Sequence, residues 1–178
     1  MKFLYTIKQL EKFTNFTVES AQLELGTTRK IRGKNVRRVA SGGLKDSLFG
    51  YRTMLKGKFR IEFGSVKAYS IFVHEGVNGT VVNNGSKFSF KSKNIGWSQD
   101  EFDRWARFKK IRPKDKNGQF VKVTPSAMAG MRFAIGRSMA KKGIVGVPFF
   151  TKGIERSMKK FDKDIATALA KDSINFLD

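Results

Sequence analysis

The one histidine of the chain, His74, stands beside Glu75 in the octet Tyr69-Ser70-Ile71-Phe72-Val73-His74-Glu75-Gly76. An imidazole next to a carboxylate offers the two groups of a general acid/base pair. The companions that such a pair needs are missing. No Gly-x-Ser-x-Gly elbow supplies a nucleophile, and a lone histidine builds neither a His-rich metal site nor a His-Glu-x-x-His motif. Cysteine is absent, which excludes thiol chemistry, disulfides and every zinc site with Cys ligands. Gly42-Gly43 and Gly143 lack the following Lys and Ser/Thr of a phosphate-cradling loop. Asp100, Glu101 and Asp103 could hold Mg²⁺ in a phosphodiester-cleaving enzyme. They fall in the first turn of an expected helix, however, where acids complement the dipole. The expectation is therefore no enzyme, no catalytic residue, no cofactor and no metal. His74 reads as a packing or interface residue, and Glu75 as the partner of a nearby cation.

Charge is the second chemical feature. The chain has 36 Lys+Arg against 15 Asp+Glu, a net of +21. Residues 29–116 hold 22 of the bases and only seven of the acids, whereas residues 1–28 are balanced at three of each. Such a field attracts nucleic acid or an acidic protein surface. The expected contact surface is Arg29, Lys30, Arg32, Lys34, Arg37 and Arg38, with Arg107, Lys109, Lys110 and Arg112 second. Phosphate contacts of this kind are non-specific and salt-dependent. An alternative reading is a free nucleic-acid-binding protein that stacks bases on Trp97, Trp105 and Phe108.

These residues must be positioned by a mixed helix and strand framework. At 178 residues and 40% hydrophobic content, the chain is long enough for one domain with a core. Its N-terminus is broken by Lys8 and Glu11 before a signal-length apolar run forms, and no stretch reaches the ~18 apolar residues of a membrane helix. A soluble protein with no membrane partner is expected. Leu10, Phe13, Phe16 or Thr17, Ala21 and Leu25 predict a helix over 7–25, closed by Gly26. Residues 29–43 read as a basic loop or mobile arm. Strands are expected at 49–55 and 58–66, joined through Lys56-Gly57-Lys58, with Phe59, Ile61 and Phe63 on the buried side. Asn84-Gly85 predicts a second hairpin between 80–82 and 88–90.

Ser98 and Glu101 form a capping box, and Trp97 and Phe102 occupy the positions of a hydrophobic staple. Thr124-Pro125 starts another helix, with Met128, Met131, Ile135 and Met139 along one face. Gly143 and Gly146 end it. Pro148 opens a last helix, whose apolar face is expected to be Phe150, Ile154, Met158, Phe161, Ile165 and Leu169. The fold class is α+β: a small antiparallel sheet with N-terminal and C-terminal helices packed on it, plus an inserted hairpin and helix.

Three stretches resemble a known family. Gly42-Gly43-Leu44-Lys45-Asp46-Ser47-Leu48 is similar to the Thr-Gly-x-Leu-x-x-Ser box of the head-to-tail joining proteins of long-tailed bacteriophages, also called tail-completion or neck proteins. The octet 69–76 resembles their Tyr-Ala-x-x-Val-His-Glu-Gly box, with Ser70 in the alanine place. Pro148-Phe149-Phe150 resembles the Pro-Phe-Phe/Leu start of their C-terminal helix. Gly42 departs from the usual Thr, and the stretch 77–143 is longer than the corresponding connection in many relatives. The boxes place Gly43, Leu44, Ser47, Tyr69, Val73, His74, Glu75, Gly76, Pro148, Phe149 and Phe150 at family structural positions.

The resemblance implies a single neck-type domain over 1–178 with an insertion at about 77–143. It implies a homo-oligomeric ring in the virion neck, made in the host cytoplasm during assembly. The ring's partners would be portal or adaptor and tail proteins. Double-stranded DNA would pass through the lumen, in non-specific contact with the basic surface, and no base readout is expected.

Overall fold

The computed structural model describes residues 3–37, 42–55 and 58–174, without the side chains of Lys34 and Arg37. It is the α+β fold expected, with long N- and C-terminal helices, and its strands form three separate two-stranded antiparallel ladders. Helix α1 (Leu4–Gly26) and helix α5 (Phe149–Ile174) pack along each other and form the spine. Their contact is close because small side chains line it. A Cβ on Gly153 would lie 2.8 Å from the Thr17 carbonyl oxygen, and the hydroxyls of Thr17 and Ser157 meet at 2.6 Å.

This seam corrects the expected face of α5. Phe149, Gly153, Ser157, Phe161, Ala168 and Asp172 are buried, while Ile154, Met158 and Leu169 are exposed. Hydrophobic spacing alone selects the bulkier stripe, but two helices approach most closely along the smaller one. The N-terminus of α1 has no capping side chain of its own. The Asp172 carboxylate supplies the cap from the far end of α5, accepting the amides of Thr6 at 2.7 Å and Tyr5 at 3.1 Å.

The basic stretch after α1 is a hairpin rather than a loose arm. Strands β1 (Thr28–Ile31) and β2 (Lys34–Arg37) pair in register Thr28↔Arg37 to Ile31↔Lys34. Arg32 and Gly33 turn the chain with φ of 49° and 78°, the left-handed pair that matches strand twist in a two-residue hairpin. After a single 3₁₀ turn at Lys45–Ser47, strands β3 (Leu48–Leu55) and β4 (Lys58–Ser65) form the long ladder expected. The Lys56-Gly57 part of its link lies outside the described residues, as do Arg38 and residues 39–41. One face of this ribbon lies on α1, with Arg52 bonded to the Ile7 carbonyl and paired with Glu11 at 3.4 Å. The other face leaves Phe49 and Tyr51 stacked on each other in the open, and Leu55 is exposed further along the same strand.

Helix α2 (Ser70–Glu75) follows and stops at Gly76, whose φ of 79° suits glycine. Strand β5 (Gly76–Val77) then pairs with β6 (Ile144–Val145), so the chain leaves for the 78–143 stretch and returns at one point. Within that stretch, α3 (Gln99–Phe108) has the full Ser98–Glu101 capping box and Trp97 against Phe102 at 5.4 Å. Helix α4 (Pro125–Lys142) begins with Thr124 as its cap and Pro125 in the first turn. The expected hairpin around Asn84-Gly85 is not a ladder. An isolated parallel bridge, Asn78↔Ser89, forms there among the described residues. The reason is competition: the amides of Thr80, Val81 and Val82 bond the carbonyls of Ala140 and Lys141 instead, closing the C-terminus of α4. No helix among the described residues is long and apolar enough to cross a membrane.

Candidate functional site

The three sequence boxes converge on one joint. Leu48, Val147 and Phe149 form a buried cluster with Ala21 and Leu25 of α1, and Leu44, Val73 and Phe150 pack against it. Box one contributes Leu44 and Leu48, box two Val73, and box three Phe149 and Phe150. Backbone bonds tie them: the Val147 amide donates to the Val73 carbonyl at 2.9 Å, and Gly76 pairs with Val145. A side chain at residue 76 would strike the Gly146 backbone, so glycine is required there for close approach as well as for its φ. Gly42 also has a positive φ, 87°, and its carbonyl accepts the Asp46 amide where the chain bends into β3. Ser47 meets Ser65 at 2.7 Å, linking the two strands at the open end of the long ribbon.

His74 lies on this joint. Its ring stands edge-on to Phe149 at 4.9 Å and near Phe150 at 6.3 Å, with Nε2 and the Thr151 hydroxyl 3.3 Å apart. Nδ1 is buried without a hydrogen-bond partner. Burial pulls the imidazole pKa below its ordinary 6.5; Glu75 opposes this and Lys87 reinforces it. Glu75 turns outward and pairs with Lys87 at 3.8 Å. Tyr69 and Phe72 are largely exposed, with Phe72 edge-on to Phe88 of the 78–94 loop, and only Val73 reaches the core. A helix of six residues presents too little surface to bury both sides.

The expected basic surface divides. Arg29 and Arg156 both grip the buried carboxylate of Glu24, with Lys152 at 4.0 Å, so Arg29 holds β1 to the helical spine. Arg32 bonds the Asn84 side-chain oxygen at 2.8 Å and the Lys142 carbonyl at 2.6 Å. Both are therefore engaged within the fold, whereas Lys30 is exposed. Arg38 lies outside the described residues, and only the backbones of Lys34 and Arg37 are described. In the second group, Arg107 and Lys110 are exposed, Lys109 is half-buried, and Arg112 lies over the Phe120 ring at 5.4 Å.

Trp97, Phe102 and Trp105 pack on one another at 5.2 to 5.7 Å, while Phe108 is exposed. Glu101 is used by the cap, and hydrogen bonds from Ser98 hold its carboxylate below the usual range. Among the described residues, no three Asp, Glu or His side chains gather as a metal site.

One basic site was missed in the sequence. Lys91 and Lys93 of the loop and Arg137 and Lys141 of α4 line a cleft of about 590 Å³, together with Thr80, Val81, Asn94 and Phe133. The only local signals are an alternating Lys-x-Lys and an i, i+4 pair of cations, neither of which announces that they meet.

Comparison of the chain with protein-family models, with curated proteins and with solved structures gives no match.

Proposed function

We propose that the chain is a structural virion protein of the phage neck. It would form a homo-oligomeric ring that joins portal or adaptor to tail and surrounds the DNA channel. The observation that carries this reading is the joint itself. Three boxes that resemble a neck-protein signature, and are far apart in the chain, supply Leu44, Leu48, Val73, Phe149 and Phe150 to one packed cluster. A chance likeness in three short motifs carries no reason for their residues to touch.

Two further features fit a subunit of an assembly. Phe49, Tyr51 and Leu55 form an open apolar face on the β3–β4 ribbon, and Ile154 and Met158 expose another on α5. Exposed apolar surface of this kind is what a neighbouring subunit covers. The +21 charge, repeated around a ring, gives the lumen a field that holds DNA without reading its sequence.

The test is direct. Purified protein is examined by light scattering after gel filtration and by negative-stain microscopy, and purified virions are probed for the chain. Closed rings, and presence of the chain at the head–tail junction, are expected. A protein that stays monomeric at every concentration and is absent from virions would sink the reading.

A further inference from the structure

The cleft between the 80–94 loop and α4 has a composition that points to a ligand. Four cations, Lys91, Lys93, Arg137 and Lys141, surround it, and no acid lines it. None of the four takes part in an ion pair among the described residues, although other cations do. Like charges gathered round a concavity repel one another and concentrate their field on its interior. An anion placed there relieves that repulsion. The volume, about 590 Å³, is in the range of sites that enclose a small ligand or one or two units of a polymer.

The wall positions are set by the fold rather than by the ligand. The amides of Thr80, Val81 and Val82 are bonded to the last turn of α4, and Asn94 is wedged against Gly136. Arg137 and Lys141 stand one turn apart on α4, on the same side of the helix.

The apolar part of the cleft selects among anions. Phe133 and Val81 are 56% and 74% exposed, so a flat aromatic face is open beside the cations. An acidic peptide would satisfy the charges and bring no planar partner for that ring. Duplex DNA brings phosphates but keeps its bases stacked inside. A single strand brings both, phosphates for the Lys and Arg side chains and an unstacked base for the aromatic face. We infer that this cleft binds single-stranded nucleic acid, with the backbone on Lys91, Lys93, Arg137 and Lys141 and a base on Phe133. The site shares no residue with the three-box joint.

The experiment uses the full chain and fluorescence anisotropy with a labelled oligo-dT, an equal-length duplex and a polyglutamate peptide, across a salt series. A chain this basic binds polyanions everywhere, so the comparison is between variants of equal charge. R137Q/K141Q is expected to weaken oligo-dT about tenfold and to lower the slope of log affinity against log salt by about 1.4, ~0.7 for each lost phosphate contact. K159Q/K163Q, the same charge loss on the exposed side of α5, is expected to change affinity by about twofold or less. Phe133→Ala, at an exposed position where folding is not at stake, is expected to weaken oligo-dT about tenfold and to leave duplex binding and salt slope unchanged.

Equal effects of the two charge variants would overturn the proposal, because binding would then be spread over the whole surface. So would an undisturbed Phe133→Ala variant, or polyglutamate that competes as well as oligo-dT at equal charge.

Discussion

The three-box joint and the 78–94 loop lie on either side of the β5–β6 pair, yet they are held by different forces. The joint is held by burial: Phe149 and Val147 are almost wholly enclosed, and Ala21 and Leu25 close on them from α1. The loop has no such core. Asn78 donates to the Ser86 carbonyl at 2.5 Å and accepts the amides of Asn84 at 2.8 Å and Ser86 at 3.1 Å. Asn84 donates to the carbonyls of Val77 at 2.9 Å and Lys142 at 3.0 Å. Side-chain amides thus satisfy the backbone groups that a hairpin ladder would have satisfied. A packed joint opens only with the whole domain, whereas a hydrogen-bonded loop can open by itself.

That contrast can be broken most forcefully at Phe149. Phe149→Ala should cost about 3–5 kcal/mol of global stability, read as a lowered urea midpoint, because the ring is fully buried. A loss below about 1 kcal/mol would mean that the joint is not a core. Next in size is Arg29→Ala, which leaves the buried Glu24 with fewer cations and should cost about 1.5–3 kcal/mol. Lys30→Ala, at the exposed neighbour, should cost almost nothing. Equal thermal shifts for the two would return Arg29 to the surface role its sequence suggested.

Asn78→Ala should cost about 1–2 kcal/mol locally. Hydrogen exchange should then quicken for amides 79–90, while those of α1 and α5 keep their protection. If all regions lose protection together, the loop and the joint are one cooperative unit.

The smallest expected effect is the pH dependence at His74, on the seam between the two regions. Its folded pKa lies below the ordinary 6.5, so the unfolded chain binds the proton more readily. His74 therefore costs no stability above about 6.5, and stability falls as pH drops from there through the folded pKa. His74→Gln should remove that component from the wild-type pH profile between neutrality and the carboxylate range. An unchanged profile would place the imidazole in water.

How far the sequence could be read follows from the range of each interaction. The Ser98–Glu101 box, the Thr124-Pro125 start of α4 and the β3–β4 alternation are set by neighbours within a few residues, and each is legible. The β1–β2 hairpin was hidden because its five cations resemble a solvated arm. Its turn is also anchored by Arg32 to Asn84 and Lys142, far along the chain. The Asn84-Gly85 hairpin was a sound local inference that lost its amides to α4. Of the candidate contact residues, type was legible but availability was not, since Arg29 and Arg32 are spent on internal partners. The cleft at Lys91, Lys93, Arg137 and Lys141 exists only because α4 returns to the loop.

The sequence by itself determined the α+β class, the positions of the long helices and of the β3–β4 ladder, the absence of thiol chemistry and the strong positive field. Only the tertiary structure decided which face of α5 is inside, how Asp172 caps a helix that begins at Leu4, and which cations face outward. The physical reason is reach. Propensity, capping and turn geometry act within one or two turns, whereas small-residue helix contacts, buried carboxylates and clefts depend on which distant segments share the same space.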